Sequence, residues 1–149
     1  MIENILESYL TGLKSIIGYE KVKDNVWRIT LPFVAGRTAD FIEIYMLLQD
    51  NGYFKLTDDE NTLNSLELSE EEIELKRNVL LYHISSNCNC CLGRENNEIF
   101  FLGHKGSFVK KLNMLVQCII TTNQLFNSDE DLRTLKNIST YDLAKELFR

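Results

Sequence analysis

Apolar side chains in the first part of the chain recur with the period of an α-helix. Each of them has another apolar residue three or four positions away. They are Ile2, Ile5, Leu6, Tyr9, Leu10, Leu13, Ile16 and Ile17. This spacing places them in one stripe along an amphipathic helix. Gly18 follows directly and is a residue type that commonly ends helices, so the pattern predicts an N-terminal helix with one apolar face.

The pattern then changes to that of β-strands. Residues 26–33 and 41–48 are rich in β-branched and aromatic side chains, and residues 52–57 follow a turn signal at residues 49–52. This arrangement predicts a three-stranded antiparallel meander. Pro32 lies near the end of the first of these strands and has no N–H to donate, so we expect that strand to be an edge of the sheet.

Two helix starts, one further strand and a long helix follow. Thr57-Asp58-Asp59 can cap a short helical turn to residue 66, and Ser69-Glu70-Glu71-Glu72 is a capping box that predicts a helix to about residue 86. Residues 98–102 predict a strand, and a helix over residues 107–126 is apolar around much of its circumference. The sequence thus predicts an α+β fold with an antiparallel sheet of about four strands, a meander of three plus one, in the order α-β-β-β-α-β-α.

The end of the chain differs from this domain. It begins with a polar, acidic stretch and then carries another capping box, Ser139-Thr140-Tyr141-Asp142. We predict a single domain over residues 1–127 and a C-terminal extension over residues 128–149 with a short helix. A length of 149 residues with 44% hydrophobic content suits one core better than two.

The net charge, the first residues and the cysteines limit the partners and the cell compartment that we expect for this protein. The net charge of −6 disfavours nucleic acid and anionic membranes as partners. The first residues lack the basic and apolar regions of a secretory signal, and we expect no transmembrane segment. Three of the four cysteines lie within four positions, where they could not easily pair, which predicts reduced thiols in a cytoplasm.

The thiols and imidazoles are the first candidates for chemistry. Zinc prefers such ligands, and His83 and His104 could join Cys88, Cys90 and Cys91. The three thiols do not have the two-to-four-residue spacing of a zinc knuckle, so we predict no metal and no cofactor. A cysteine nucleophile activated by histidine is the alternative, but no orienting neighbour is evident and we assign no catalytic residue.

Carboxylates next to strands are the second candidate. A metal-dependent nuclease could use Asp40, Glu43, Asp58 and Asp59 with Lys55 as a nearby cation. The same Thr and Asp residues are those that helix N-termini require. We therefore interpret this corner as scaffolding and keep the enzyme as the rival hypothesis.

The third candidate is a run of negative charge. Residues 58–74 include eight acidic side chains and no basic one. Such a run is usually a solvated helix face, but it can also present negative charge to a basic protein partner. The binding residues predicted on this basis are Asp58, Asp59, Glu60, Glu70, Glu71, Glu72 and Glu74.

Several segments together resemble one family. Residues 26–33, 40–45, 52–59 and 62–67 are similar to the family known as domain of unknown function 1828, with its Leu-Thr-Asp-Asp turn after a hairpin. Where the family pattern has a glycine after Asp59, this chain has Glu60, which we interpret as favouring a helix start over a tight turn. The resemblance implies a bacterial, phage or mobile-element setting and supplies no activity.

These observations lead to a functional hypothesis. We expect a non-catalytic protein-binding module of phage or mobile-element origin that works in the cytoplasm of a bacterial host. Its acidic segment could inhibit a host defence nuclease, in the manner of an anti-CRISPR protein. The alternatives are the metal-dependent nuclease and, because the order of elements resembles small secretion chaperones, a dimeric binding protein.

Overall fold

The computed structural model describes residues 1–35 and 40–126. These residues form five α-helices and six β-strands. The helices are α1 (Ile2–Ile16), α2 (Asn61–Asn64), α3 (Glu70–Leu75), α4 (Arg77–Leu81) and α5 (Phe108–Leu125). The strands are β1 (Gly18–Lys23), β2 (Val26–Val34), β3 (Phe41–Leu48), β4 (Tyr53–Thr57), β5 (Cys91–Leu92) and β6 (Ile99–His104). A π-helical turn (Tyr82–Asn87) follows α4, and a 3-10 turn (Lys105–Ser107) precedes α5.

The strands form one antiparallel sheet in the order β1-β2-β3-β4-β6-β5. The predicted α+β class is confirmed, and the predicted meander corresponds to β2, β3 and β4. The predicted fourth strand is β6, which pairs with β4. The sequence reading missed β1 and β5, because β1 is rich in charged side chains and β5 has only two residues.

The expectation for Pro32 is wrong in part. Strand β2 is not an edge, because β1 pairs with it from Val26 to Thr30. That pairing ends at Thr30, and the register between β2 and β3 shifts between Thr30 and Val34. Pro32 therefore lies past the last β1 partner and inside an irregular stretch, where its missing N–H leaves no regular ladder bond unmade.

The core lies between one face of the sheet and α5. Alternate residues of the strands face inward, among them Ile44, Leu56 and Phe101, which occupy neighbouring strands. Helix α5 contributes Leu115 and Ile119 from its own buried side, as the apolar pattern predicted. Each such side chain removed from water stabilises the fold by about 2 kcal/mol.

The helix predicted from Ser69 to residue 86 is broken in the structure. Helix α3 ends at Leu75, Lys76 leaves helical geometry with φ −98° and ψ 2°, and α4 begins at Arg77. The π-helical turn after α4 buries His83 and Ile84. These two residues stand four positions after the buried Val79 and Leu80, so the buried side of α4 continues into the turn.

Helix α1 (Ile2–Ile16) matches the predicted N-terminal helix, but its apolar face does not join the buried core. None of its side chains is buried. Within residues 1–35 and 40–126, no helix is both long enough and apolar enough to cross a membrane. The predicted C-terminal helix and the boundary at residue 127 lie outside the described residues.

Candidate functional site

The side chain of Asp58 is the most constrained group at the corner where β4 ends. It is 1% exposed. Its Oδ1 accepts the backbone N–H groups of Glu60 at 3.1 Å and Ile99 at 2.9 Å, and its Oδ2 accepts the N–H of Thr62 at 3.1 Å. Asp58 thereby caps α2 and ties it to the first residue of β6, which is the scaffolding role that the sequence suggested.

Burial sets the titration of this carboxyl. Removal from water raises the pKa of Asp58 above its ordinary value, although the bonds from Thr62, Ile99 and Glu60 act in the opposite direction. Both carboxylate oxygens are already engaged by backbone donors. A metal ion could bind Asp58 only by displacing bonds that hold the corner together.

The backbone after Asp58 is a tight left-handed turn. Asp59 has φ 54° and Glu60 has φ 66°, values that favour glycine. The interpretation of Glu60 as a helix start is correct, because it is the N-cap of α2. It is wrong in setting the helix start against a tight turn, because the same residue has left-handed geometry. Its Oε1 also accepts the N–H of Asn97 at 3.0 Å, a contact that a glycine could not make.

The residues of the acidic segment differ widely in exposure. Asp59, Glu70, Glu71 and Glu74 are exposed, Glu60 and Glu72 are half-buried, and Asp58 is buried. The glutamates of α3 occupy its first turns, where negative charge is favourable, and Ser69 Oγ accepts the N–H of Glu72 at 3.1 Å as a helix cap. A partner could therefore meet four of the seven predicted carboxylates at the surface, but not Asp58.

A cavity of about 550 Å³ opens beside this corner. Asp40, Glu43 and Asp58 of the rival nuclease set are among its lining residues, with Asn61, Thr62 and Asn123. Asn123 is buried, and its Nδ2 donates to the carbonyl of Ile119 at 3.0 Å. The cavity thus brings together three of the five residues proposed for the nuclease.

Lys55 and the exposed Asp59 do not complete that set. Lys55 Nζ lies 2.6 Å from Glu98 Oε1 and 4.7 Å from the centre of the Phe100 ring, and neither Lys55 nor Asp59 lines the cavity. Among the described residues, no three carboxylates place their oxygens close enough to share one ion. Three carboxylates therefore do not form a metal site in the part of the chain that the structure describes.

The apolar side chains of α1 form a second exposed feature. We define the apolar face of α1 as the side chains of Ile2, Ile5, Leu6, Tyr9, Leu10, Leu13, Ile16 and Ile17. Ile2 is 71% exposed, Ile5 64% and Tyr9 62%. Monomeric proteins rarely expose a contiguous apolar surface of this extent unless a partner covers it.

The histidine and cysteine residues form a compact cluster in which one member comes from a distant helix. Nε2 of His83 and the sulfurs of Cys88 and Cys118 all lie within 4.8 Å of one another. Sγ of Cys88 is 3.6 Å from His83 Nε2, and Thr121 Oγ1 is 2.9 Å from the same nitrogen. We call His83, Cys88 and Cys118 the Cys–His cluster.

Sequence reasoning identified two of these three residues. It missed Cys118, because this residue is 30 positions after Cys88 and forms no short-range motif with it. Of the other candidates, Cys90 is buried nearby with its Sγ 3.7 Å from the carbonyl of Cys88, and Cys91 is exposed. His104 lies elsewhere, packed against the Tyr53 ring at 5.4 Å.

The electrostatics of the cluster do not favour a cysteine nucleophile. The neighbouring Cys118 thiol and burial raise the pKa of Cys88, and the opposing effect of His83 is smaller. The bond to Cys88 lowers the pKa of Cys118, but the Cys90 thiol and burial outweigh it and the pKa is raised. Both thiols are therefore protonated at neutral pH, whereas a nucleophile must be a thiolate.

Comparison with known proteins supplies a family. The model of the family described as Domain of unknown function DUF1828 matches residues 32–121, which is more than half of the chain. The chain belongs to this family, as the resemblance around the Leu-Thr-Asp-Asp turn predicted. No curated protein and no solved structure matches it.

Proposed function

We propose that the protein is a non-catalytic module that binds another protein through the apolar face of α1 and the exposed acidic segment. The observation that carries the proposal is the exposure of the apolar face of an amphipathic helix, of whose eight side chains all but the half-buried Leu13 are exposed. Burying such side chains in an interface contributes about 25 cal/mol for each Å² of apolar surface removed from water. That gain supplies a reason for the protein to associate with a partner.

The acidic segment indicates the charge of that partner. Asp59, Glu70, Glu71 and Glu74 are exposed on the same stretch of chain, and complementary charge raises the association rate and selects the partner. Proteins that act on nucleic acid carry basic surfaces to engage phosphates. A host defence nuclease, inhibited by a phage or mobile-element protein in the bacterial cytoplasm, is the partner class that fits this charge.

Paired variants test the apolar face. Tagged protein expressed in a bacterial host captures its partner, and the affinity of the purified pair is then measured. Leu6→Glu with Leu10→Glu places two charges in the apolar face, and Asn4→Glu with Thr11→Glu places the same two charges on the opposite side of α1. We expect the first pair to weaken binding by about tenfold or more and the second to leave it within about threefold.

A second pair of variants tests the acidic segment. Charge reversal by Lys at Glu70, Glu71 and Glu74 is compared with charge reversal at Asp24, Asp50 and Glu95, which are exposed acids outside the segment. The two triples change the net charge equally. If every captured protein stays bound to the first triple and to the α1 variant as it does to the unchanged chain, the proposal is wrong.

Pairing of two copies through α1 is the form that a chaperone-like dimer would take. Sedimentation of the purified chain distinguishes self-association through the apolar face of α1 from binding of a different protein there. A dimer that Leu6→Glu with Leu10→Glu converts to monomer would assign the apolar face to self-association, and the partner would then bind elsewhere.

The cavity beside Asp58 favours the metal-dependent nuclease as a second candidate. Asp40 and Glu43 line it and are exposed, so an ion could reach them. A divalent ion that binds only the folded protein must raise its melting temperature. A rise with Mg²⁺ or Mn²⁺ that Asp40→Asn removes, together with cleavage of DNA or RNA, would replace the binding module by an enzyme.

A further inference from the structure

The Cys–His cluster contains the donor types that soft metal ions prefer. Two sulfurs and one imidazole nitrogen converge from separate parts of the chain: His83 from the π-helical turn, Cys88 from the residue after it, and Cys118 from the middle of α5. Thiolate and imidazole together favour Zn²⁺ over Mg²⁺ or Ca²⁺, which take oxygen ligands. We propose that His83, Cys88 and Cys118 form a zinc-binding site.

The distances suit a tetrahedral ion. Zinc bonds of about 2.0 Å to nitrogen and 2.3 Å to sulfur hold neighbouring ligand atoms about 3.5 to 3.8 Å apart. The Cys88 sulfur and His83 Nε2 are already 3.6 Å apart, and every pair in the cluster lies within 4.8 Å. A shift of about 1 Å or less in the cysteine side chains, together with a turn of the Thr121 hydroxyl away from His83 Nε2, therefore completes three corners of the tetrahedron.

The site is held by the core of the domain. Cys118 is 0% exposed and His83 is 5% exposed, so their positions are fixed by packing. His83 lies in the π-helical turn, four positions after the buried Val79. A preorganised set of ligands binds a metal without first ordering a loop.

Thr121 holds His83 Nε2 when no ion is bound. The Thr121 hydroxyl donates to the carbonyls of Gln117 at 2.8 Å and Cys118 at 3.2 Å, which leaves it as the acceptor for a proton on His83 Nε2. When zinc binds Nε2, the proton moves to Nδ1 of the same ring and the Thr121 hydroxyl turns away from Nε2. The two thiols release their protons to solvent as they become thiolates. The bonds formed are one Zn–N and two Zn–S bonds, with no change in oxidation state.

A cavity opens beside two of the three ligands. A cavity of about 460 Å³ is lined by His83, Cys88 and Thr121, with Lys110 and Gln117 further along its wall. Three protein ligands and an accessible fourth position characterise zinc sites that hold a water or an exchangeable ligand, whereas closed structural sites have four protein ligands. The inferred site is thus able to bind a small anion or a partner's side chain through the metal.

Metal content tests the proposal directly. Tag-free chain, purified with a non-thiol reductant, is loaded with Zn²⁺, dialysed and analysed for metal. We expect about one zinc per chain in the unchanged protein and in Cys91→Ser, which removes an exposed thiol outside the cluster, and loss of about nine-tenths of it in Cys88→Ser. Co²⁺ in place of Zn²⁺ should give the charge-transfer absorption of thiolate ligands and the visible bands of a tetrahedral site.

Two controls keep the result interpretable. Cys118→Ser alters a fully buried position and can unfold the chain, so the proposal is judged on Cys88→Ser, at a half-buried position. Circular dichroism checks that Cys88→Ser is folded. Unchanged protein that holds less than a tenth of an equivalent of zinc after loading would overturn the proposal. Equal zinc in Cys88→Ser and the unchanged chain would overturn it as well.

Discussion

The carboxylate of Asp58 accepts the backbone N–H of Ile99 at 2.9 Å, across 41 residues of chain. Through this bond the turn after β4 is fastened to the start of β6, its neighbour in the sheet. Two further backbone donors bind the same carboxylate. One side chain therefore satisfies three main-chain groups that would otherwise be left without partners at a buried corner.

Replacing this carboxylate should destabilise the domain. Asp58→Asn puts an amide NH₂ where a backbone N–H needs an acceptor, so we expect the free energy of unfolding to fall by at least about 2 kcal/mol. Urea unfolding measures it. Asp59→Asn, at the exposed neighbouring position, should stay within about 0.5 kcal/mol of the unchanged protein; equal midpoints for both variants would contradict the role assigned to Asp58.

Acid stability should depend on Glu98. Burial by itself raises the pKa of Glu98, but the bonds from Lys55 and Thr57 outweigh it, so the pKa lies below its ordinary value. The folded protein then holds this proton less tightly than the unfolded chain. The contribution of Glu98 to stability is complete above the ordinary glutamate pKa of about 4.3 and is lost as the pH falls through the lower folded value.

Asp58 should act with the opposite sign. Its raised pKa means that the folded state holds the proton more tightly, so its contribution to stability declines as the pH rises from about 3.9 through the higher folded value. The free energy of unfolding, measured with urea between pH 3 and pH 7, separates the contribution of Glu98 from that of Asp58. Relative to the unchanged protein, Glu98→Gln should lose stability less steeply in acid and Asp58→Asn more steeply; the reverse order would refute both assignments.

A methyl group at Gly103 should be poorly tolerated. A Cβ built there would lie 2.9 Å from Cζ of Phe54, which is buried and cannot turn aside. We expect Gly103→Ala to lower the free energy of unfolding by about 1 to 3 kcal/mol through overpacking. Gly106 has no heavy atom within 4 Å of the same added atom, so Gly106→Ala is the matched control and should leave the melting temperature unchanged or slightly higher.

The four cysteines should react in a defined order. Cys91 is exposed, Cys88 is half-buried with a raised pKa, and Cys90 and Cys118 are buried. Iodoacetamide near neutral pH reacts with accessible thiolate, so we expect Cys91 to be modified first and Cys118 last. Peptide mapping by mass spectrometry gives the order, and early alkylation of Cys88 would show that its thiol is more ionised than the structure indicates.

Local patterns in the sequence predicted those features that depend on neighbouring residues. The apolar spacing from Ile2 to Ile17 predicted α1, and β-branched runs predicted the strands of the meander. Ser69 caps α3 as the capping box predicted. Each of these features is local, because helix and strand formation depends on side chains two to four positions apart.

Where local and tertiary preferences conflicted, the sequence reading failed. Gly18 was interpreted only as a helix end, yet it begins β1, because β2 offers a free edge that a charged segment can pair with. The helix predicted through Lys76 breaks there. Neither change is signalled by a capping residue at that position, and the start of β1 depends on its pairing with β2.

The sequence by itself determined the class of fold, the family and the amphipathic character of α1, since these are written in composition and in short-range periodicity. Only the tertiary structure decided that Asp58 is enclosed while Glu70 and Glu71 face solvent, and that Cys118 meets His83 and Cys88. The reason is physical: burial and convergence of side chains are set by contacts between segments far apart in the chain, and no spacing within a single segment encodes them.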